Sequence, residues 1–168
     1  MYMNKNKKKP IEESRYRSSS VHQLLFLSYS VFLFSVILGV IMDIIFPFRI
    51  FSNIIFQYIG ILMIILGSVI AYWAQSTSGN YKEEKAKLKN KTYFDRGPYK
   101  YLRSPTHFGL FIMTLGLALM INSLFSIIFT VLAQIITKIF FVRKQEKILE
   151  DKYGEVYVNY KKKVKNWL

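Results

Sequence analysis

Apolar residues fall into long runs separated by polar stretches. Two runs stand out: Leu24–Met42, LLFLSYSVFLFSVILGVIM, and Ile54–Trp73, IIFQYIGILMIILGSVIAYW. About 20 such residues cross a hydrocarbon core as a helix. A third run, Phe108–Ile121, is short alone. Ser104 suits an N-cap and Pro105 a first helical turn, so the pattern predicts a helix beginning near Pro105. Asn122-Ser123 then turns the chain, and Leu124–Val142 returns as a fourth run. So short a loop predicts antiparallel neighbours, a helical hairpin. Four apolar helices leave too little polar sequence to cover them in water. The expectation is an all-α integral membrane protein with four transmembrane helices.

The flanks complete this picture. Residues 1–22 are Lys- and Ser-rich and read as a disordered basic arm against anionic headgroups. Asp43–Arg49, with Pro47, predicts a tight turn, and Tyr81–Asp95 a solvated, partly helical connector. After the fourth run the chain predicts an amphipathic cytosolic tail, helical to Lys152 or Tyr153, broken at Gly154 and resumed. Gly67 and Ala71 share one helical face, and Gly109 and Gly116 serve the third helix similarly, as small residues that let backbones approach. At 168 residues, 52% hydrophobic, one membrane domain spanning 1–168 is expected.

The net charge of +14 fits membrane sidedness better than nucleic acid. Six cations precede the first run, eight lie between Lys82 and Arg103, and eight follow from Arg143 to Lys165, while the opposite loops hold only Arg49. By the positive-inside rule both termini and the middle connector are cytosolic, in a multi-pass protein of the inner (plasma) membrane if prokaryotic. No nucleic-acid motif accompanies the charge, so no nucleic-acid partner is expected. With no cysteine, thiolate metal sites and thiol nucleophiles are excluded; no metal is expected.

One stretch exceeds what a membrane anchor needs: Gly97–Gly109, GPYKYLRSPTHFG. Its tyrosines and Lys100 suit the interface. Arg103-Ser104-Pro105 stands at a helix mouth whose free N–H groups favour an anion, and a guanidinium pairs well with a carboxylate. His107, in the first turn, is held neutral by the helix dipole. At about 100° per residue, Arg143, Glu146 and Glu150 share one face beyond the fourth run, and Gln134, Lys138 and Gln145 another. The hairpin returns residues 143–150 to the membrane side of residues 103–109.

GPYKYLRSPTHFG, followed by a helical hairpin, then QEKIL at 145–149 and YGEVYVNY at 153–160, resembles the isoprenylcysteine carboxyl methyltransferase family and its phospholipid N-methyltransferase relatives. The resemblance covers Arg96–Leu168, with the methyltransferase-like hairpin and tail at 97–168; the first two runs match only in kind. It implies an S-adenosylmethionine-dependent membrane methyltransferase. The acceptor is a lipid-like substrate entering from the bilayer: a prenylcysteine carboxylate, a phospholipid amine or another isoprenoid lipid. Cofactor contacts are implied at Tyr101, Arg103, Ser104, Pro105, His107, Gly109, Gln145, Glu146 and Tyr157, and the chemistry at Arg143 and Glu146. Three positions depart from the family pattern: Ser104 replaces its histidine, His107 its tyrosine, and Gln145 the first of two glutamates. Two rivals share the hairpin: a sterol-reductase-like enzyme using NADPH, and a non-catalytic scaffold of the same fold.

Overall fold

The computed structural model describes residues 8–47, 53–85, 94 and 96–164, and among them every extended element is a helix. The elements are α1 (Lys8–Ile45), α2 (Ile55–Lys85), a 3-10 turn (Gly97–Lys100), α3 (Pro105–Met120), α4 (Leu124–Ile136), a π-helical segment (Thr137–Val142), α5 (Arg143–Tyr153) and α6 (Glu155–Lys163). Three helical segments are long and apolar enough to cross a membrane: Gln23–Ile45, Ile55–Ser78 and Leu124–Asp151. α3 is apolar but only 16 residues long. Phe26, Phe34, Ile44, Leu62 and Tyr72 stand exposed, among many other large apolar side chains. So extensive an apolar surface belongs against lipid.

The helices are arranged as close pairs. α3 packs chiefly along α2, and α4 chiefly along α1. On α2 the buried positions are Gly60, Gly67 and Ala74. Their seven-residue repeat keeps one seam facing a partner that crosses at a shallow angle. A Cβ at Gly67 would lie 2.6 Å from the carbonyl oxygen of Gly109, and one at Gly116 would lie 2.6 Å from that of Gly60. α2 and α3 are therefore antiparallel with their backbones in contact. Gly39 of α1 meets Ser126 of α4 in the same way, and Phe46 and Phe125 pack with ring centroids 6.4 Å apart at that end of the bundle. Ser123 caps α4 by accepting a hydrogen bond from Ser126 N at 2.9 Å.

Three sequence-based readings change. The expected disordered arm 1–22 is helical from Lys8, while residues 1–7 lie outside the described residues. Extending a helix already nucleated by an apolar span costs little, and Pro10 falls in the first turn, where no N–H partner is lost. Phe94, read as part of a solvated connector, is buried against three tyrosines. The uniform 100° phase carried from Gln134 and Lys138 to Gln145 also fails, because the π-helical segment intervenes. Buried positions run Ser126, Thr130, Ala133, Thr137 and then, after a step of five, Val142 and Glu146. Arg49 and most of the 81–95 connector lie outside the described residues.

Candidate functional site

The 3-10 turn opens the site. Gly97 has φ +53°, a conformation open to glycine, and a Cβ there would lie 2.5 Å from Thr77 Oγ1. The turn thus seats directly on the end of α2. Pro98 is buried in it, and the chain passes through Tyr101 and Leu102 to the mouth of α3. Ser104 occupies the N-cap position with no side-chain cap bond, its carbonyl accepting from Phe108 N at 3.1 Å. Pro105, Thr106 and His107 are buried in the first turn.

α5 and α6 close the other side. α5 ends at Gly154, whose φ of +56° lets the chain reverse into α6. α6 then docks on the turn: Tyr160 donates its hydroxyl hydrogen to the carbonyl oxygen of Tyr99 at 2.6 Å, with that of Leu102 at 3.4 Å. Phe94 lies between Tyr153, Tyr157 and Tyr160, with ring centroids 5.1, 5.1 and 4.9 Å away. Aromatic contacts of this kind add to burial and fix geometry.

Within this frame sit four charges. Arg103 Nη1 lies 3.2 Å from Glu146 Oε1, Lys161 Nζ 3.3 Å from Glu146 Oε2, and the same Nζ 2.7 Å from Glu150 Oε1. The Arg103 and Glu146 side chains are only 13% and 11% exposed. Their contact is an ion pair without hydrogen-bond alignment: Arg103 Nη1 and Nε are both buried and lack a hydrogen-bond partner. So are His107 Nε2 and Gln145 Oε1. A buried polar group left unpaired costs about 1–3 kcal/mol, so the two idle guanidinium nitrogens beside Glu146 call for a partner. Burial, and then the Glu146 charge, push the Tyr157 phenol well above its ordinary range. The Glu150 hydrogen bond raises Lys161. Burial raises Tyr99, against hydrogen bonds to Thr106 and Ser78.

Of the residues singled out in the sequence, Arg103 and Glu146 come together directly, and the electrostatic influence of both reaches Tyr157. Tyr101 does not join them: it is 67% exposed, with Lys100 Nζ 6.0 Å from its ring centre. Arg143 is exposed, and Glu146 pairs with Arg103 and Lys161 instead of its helical neighbour. The π-helical step, which precedes both residues, rotates α5 as a whole so that Glu146 faces inward, and Arg143, about 60° further round the same helix, stays outside that face. Gly109 serves the α2 contact: a Cβ there would lie 2.7 Å from the carbonyl oxygen of Gly67 and 2.8 Å from Ala71 N. Lys161 was missed, since a cation inside YKKK reads as membrane-surface charge. Phe94 was missed because one aromatic in a charged linker carries no period.

The sequence pattern of the phospholipid methyltransferase family matches residues 55–156. The match starts at α2, earlier than the resemblance seen from the motifs. No curated protein and no solved structure matches the chain. With its match running from the first residue of α2 to the start of α6, across both halves of the charged site, the chain belongs to the phospholipid methyltransferase family of multi-pass membrane methyltransferases.

Proposed function

We propose that the protein binds S-adenosylmethionine where the mouth of α3 meets α5 and α6, and moves its methyl group to the amine of a phospholipid arriving from the bilayer. The observation that carries this reading is the Arg103–Glu146 pair: two opposite charges from separate elements, nearly buried, with guanidinium N–H groups unused. The amino-acid end of the cofactor bears a carboxylate and an ammonium, and this pair suits both. Arg103 takes the carboxylate through its free N–H groups, and Glu146 takes the ammonium. His107 Nε2 and Gln145 Oε1 remain for the ribose, the base or the acceptor headgroup.

When bound, the cofactor supplies a methyl group already activated on a sulfonium, so the protein need do no covalent chemistry. Its work is to align the acceptor, exclude water and stabilise the moving charge. Phe94, Tyr153, Tyr157 and Tyr160 form the dry wall for this. The short α3 helps as well. Sixteen residues rise about 24 Å, less than the ~30 Å hydrocarbon core. As the third of four spans with both termini cytosolic, α3 holds its mouth below the headgroup level, where a lipid amine can reach it sideways. Of the three acceptor classes that the motifs leave open, the family match favours the phospholipid amine.

Calorimetric titration of detergent-solubilised protein tests the cofactor. Binding of S-adenosylmethionine without NADPH is the expected result; NADPH binding alone would point to a reductase, and neither to a scaffold. Transfer of labelled methyl to ethanolamine phospholipid, and not to a prenylcysteine, tests the acceptor.

A further inference from the structure

Lys161 belongs to none of the motifs, yet it touches the central carboxylate of the site. Its Nζ bridges Glu146 Oε2 and Glu150 Oε1 at 3.3 and 2.7 Å. The two contacts differ. That to Glu150 is a hydrogen bond at charge-assisted length, and that to Glu146 is a longer ion pair. Lys161 is anchored by the next residue back, since Tyr160 is tied to the Tyr99 carbonyl. Its Nζ therefore stays near Glu146 whichever carboxylate it favours. Glu146 thus carries Arg103 on one oxygen and Lys161 on the other, while the Glu150 side chain is 33% exposed.

We propose that Lys161 is a displaceable counter-ion: it neutralises Glu146 in the ligand-free protein and yields that oxygen to a ligand's ammonium, falling back on Glu150. This rests on the reading of Glu146 as the ammonium site. Glu146 is 8% exposed as a residue, and a carboxylate so placed is costly without a positive partner, so some cation must occupy it before the ligand does. Arg103 alone is a poor choice, because its unaligned N–H groups are needed for the ligand's carboxylate. A lysine ammonium on a flexible stem is chemically the same kind of group as the arriving ammonium, so the two exchange without leaving the carboxylate bare. Glu150 makes the exchange reversible by holding the displaced Lys161 one helical turn away.

The two partners of Lys161 then have opposite effects on affinity. In K161M the competitor is gone, and the Kd for S-adenosylmethionine falls about two- to fivefold, the range for a pair this exposed. In E150Q the fallback is gone, Lys161 settles on Glu146, and the Kd rises by about the same factor. A general electrostatic effect of charge would give the same signs, but additively. Exchange requires coupling: in the K161M/E150Q double variant the E150Q penalty disappears, because no lysine remains to be retained. K161R, keeping the charge, stays near wild type.

The test is calorimetry on the full chain in detergent with three probes: S-adenosylmethionine; methylthioadenosine, which lacks the ammonium; and a short-chain phosphatidylethanolamine, whose ammonium is a second possible source. Coupled, opposite changes for S-adenosylmethionine, with methylthioadenosine unaffected in every variant, are the expected result. The same pattern confined to phosphatidylethanolamine would keep the exchange and assign the displacing ammonium to the acceptor. Additive changes, or changes equal for methylthioadenosine, overturn the inference while leaving the methyltransferase reading standing. Wild-type protein that binds none of the three overturns both.

Discussion

Replacing Gly109 by alanine asks whether this glycine touches a helix or a ligand. The added Cβ would lie 2.7 Å from the Gly67 carbonyl oxygen, 2.8 Å from Ala71 N and 3.2 Å from Ala71 Cα, whereas ordinary contact begins at 3.4 Å. The nearest obstacles are backbone atoms, which cannot rotate aside, so α2 and α3 must part by about 0.7 Å at that level. Parting loosens the whole seam, since Gly67 and Gly116 rest on the same approach. Overpacking of this kind costs about 1–3 kcal/mol. Unfolding followed by circular dichroism, as SDS is titrated into mild-detergent micelles, should show that loss for Gly109→Ala and for Gly67→Ala. Leu62→Ala, at a lipid-facing position 55% exposed, should change little. A double Gly67→Ala/Gly109→Ala variant should lose less than the two single losses together, because the first separation accommodates the second methyl. Unchanged stability of Gly109→Ala with loss of S-adenosylmethionine binding would refute the reasoning and return Gly109 to the ligand.

Arg103→Ala and Glu146→Ala should each weaken S-adenosylmethionine binding by about 2–5 kcal/mol by calorimetry, with helix content kept; equal affinity in both variants and wild type would remove the site. Tyr160→Phe should lose about 0.5–1.5 kcal/mol of α6 docking, seen as faster hydrogen exchange in α6 and not in α2. The Tyr157 phenol is raised above its ordinary value of 10.0, so the stability tied to its protonated form is intact below pH 10 and declines above it. Absorbance at the tyrosinate band should show one late-titrating tyrosine, which Tyr157→Phe removes. Single cysteines introduced at Arg49 and Asn122 should react with an impermeant thiol reagent from outside, and one at Lys87 should not; the reverse would refute the topology.

The helices were legible because lipid imposes composition: Leu24–Met42 and Ile54–Trp73 can hardly be anything else. The break at Gly154 was legible because a φ of +56° combined with a ψ of −134° is open essentially to glycine alone. Arg103 and Glu146 could be paired in advance because a short hairpin fixes which ends meet. The remainder was hidden for identifiable reasons. Tyr101 and Arg143 stand exposed, because their side-chain directions depend on a turn and on how α5 docks, which local sequence does not announce. The α2 seam was only half seen: Gly67 was paired with Ala71 at four residues, whereas burial follows seven, through Gly60 and Ala74. Lys161 acts through a fold-back contact with Glu146, and no spacing along the chain encodes that.

The π-helical segment gives the long α4–α5 rod an unusual tolerance. Such a segment is an α-helix holding one surplus residue. The spare position lies between Thr137, which faces the bundle, and Val142, which does so again five residues later. Excising one residue there, such as Phe140, leaves four steps between those positions, the α-helical repeat, so Val142 and Glu146 keep facing inward. The same excision at Ile128 would swing everything beyond it by about 100° and carry Glu146 away from Arg103. The rod therefore has one place where its length can change without its facing, and that place separates the part fitted to α1 from the part fitted to Arg103. A residue lost there shortens the rod and leaves the charged pair in register.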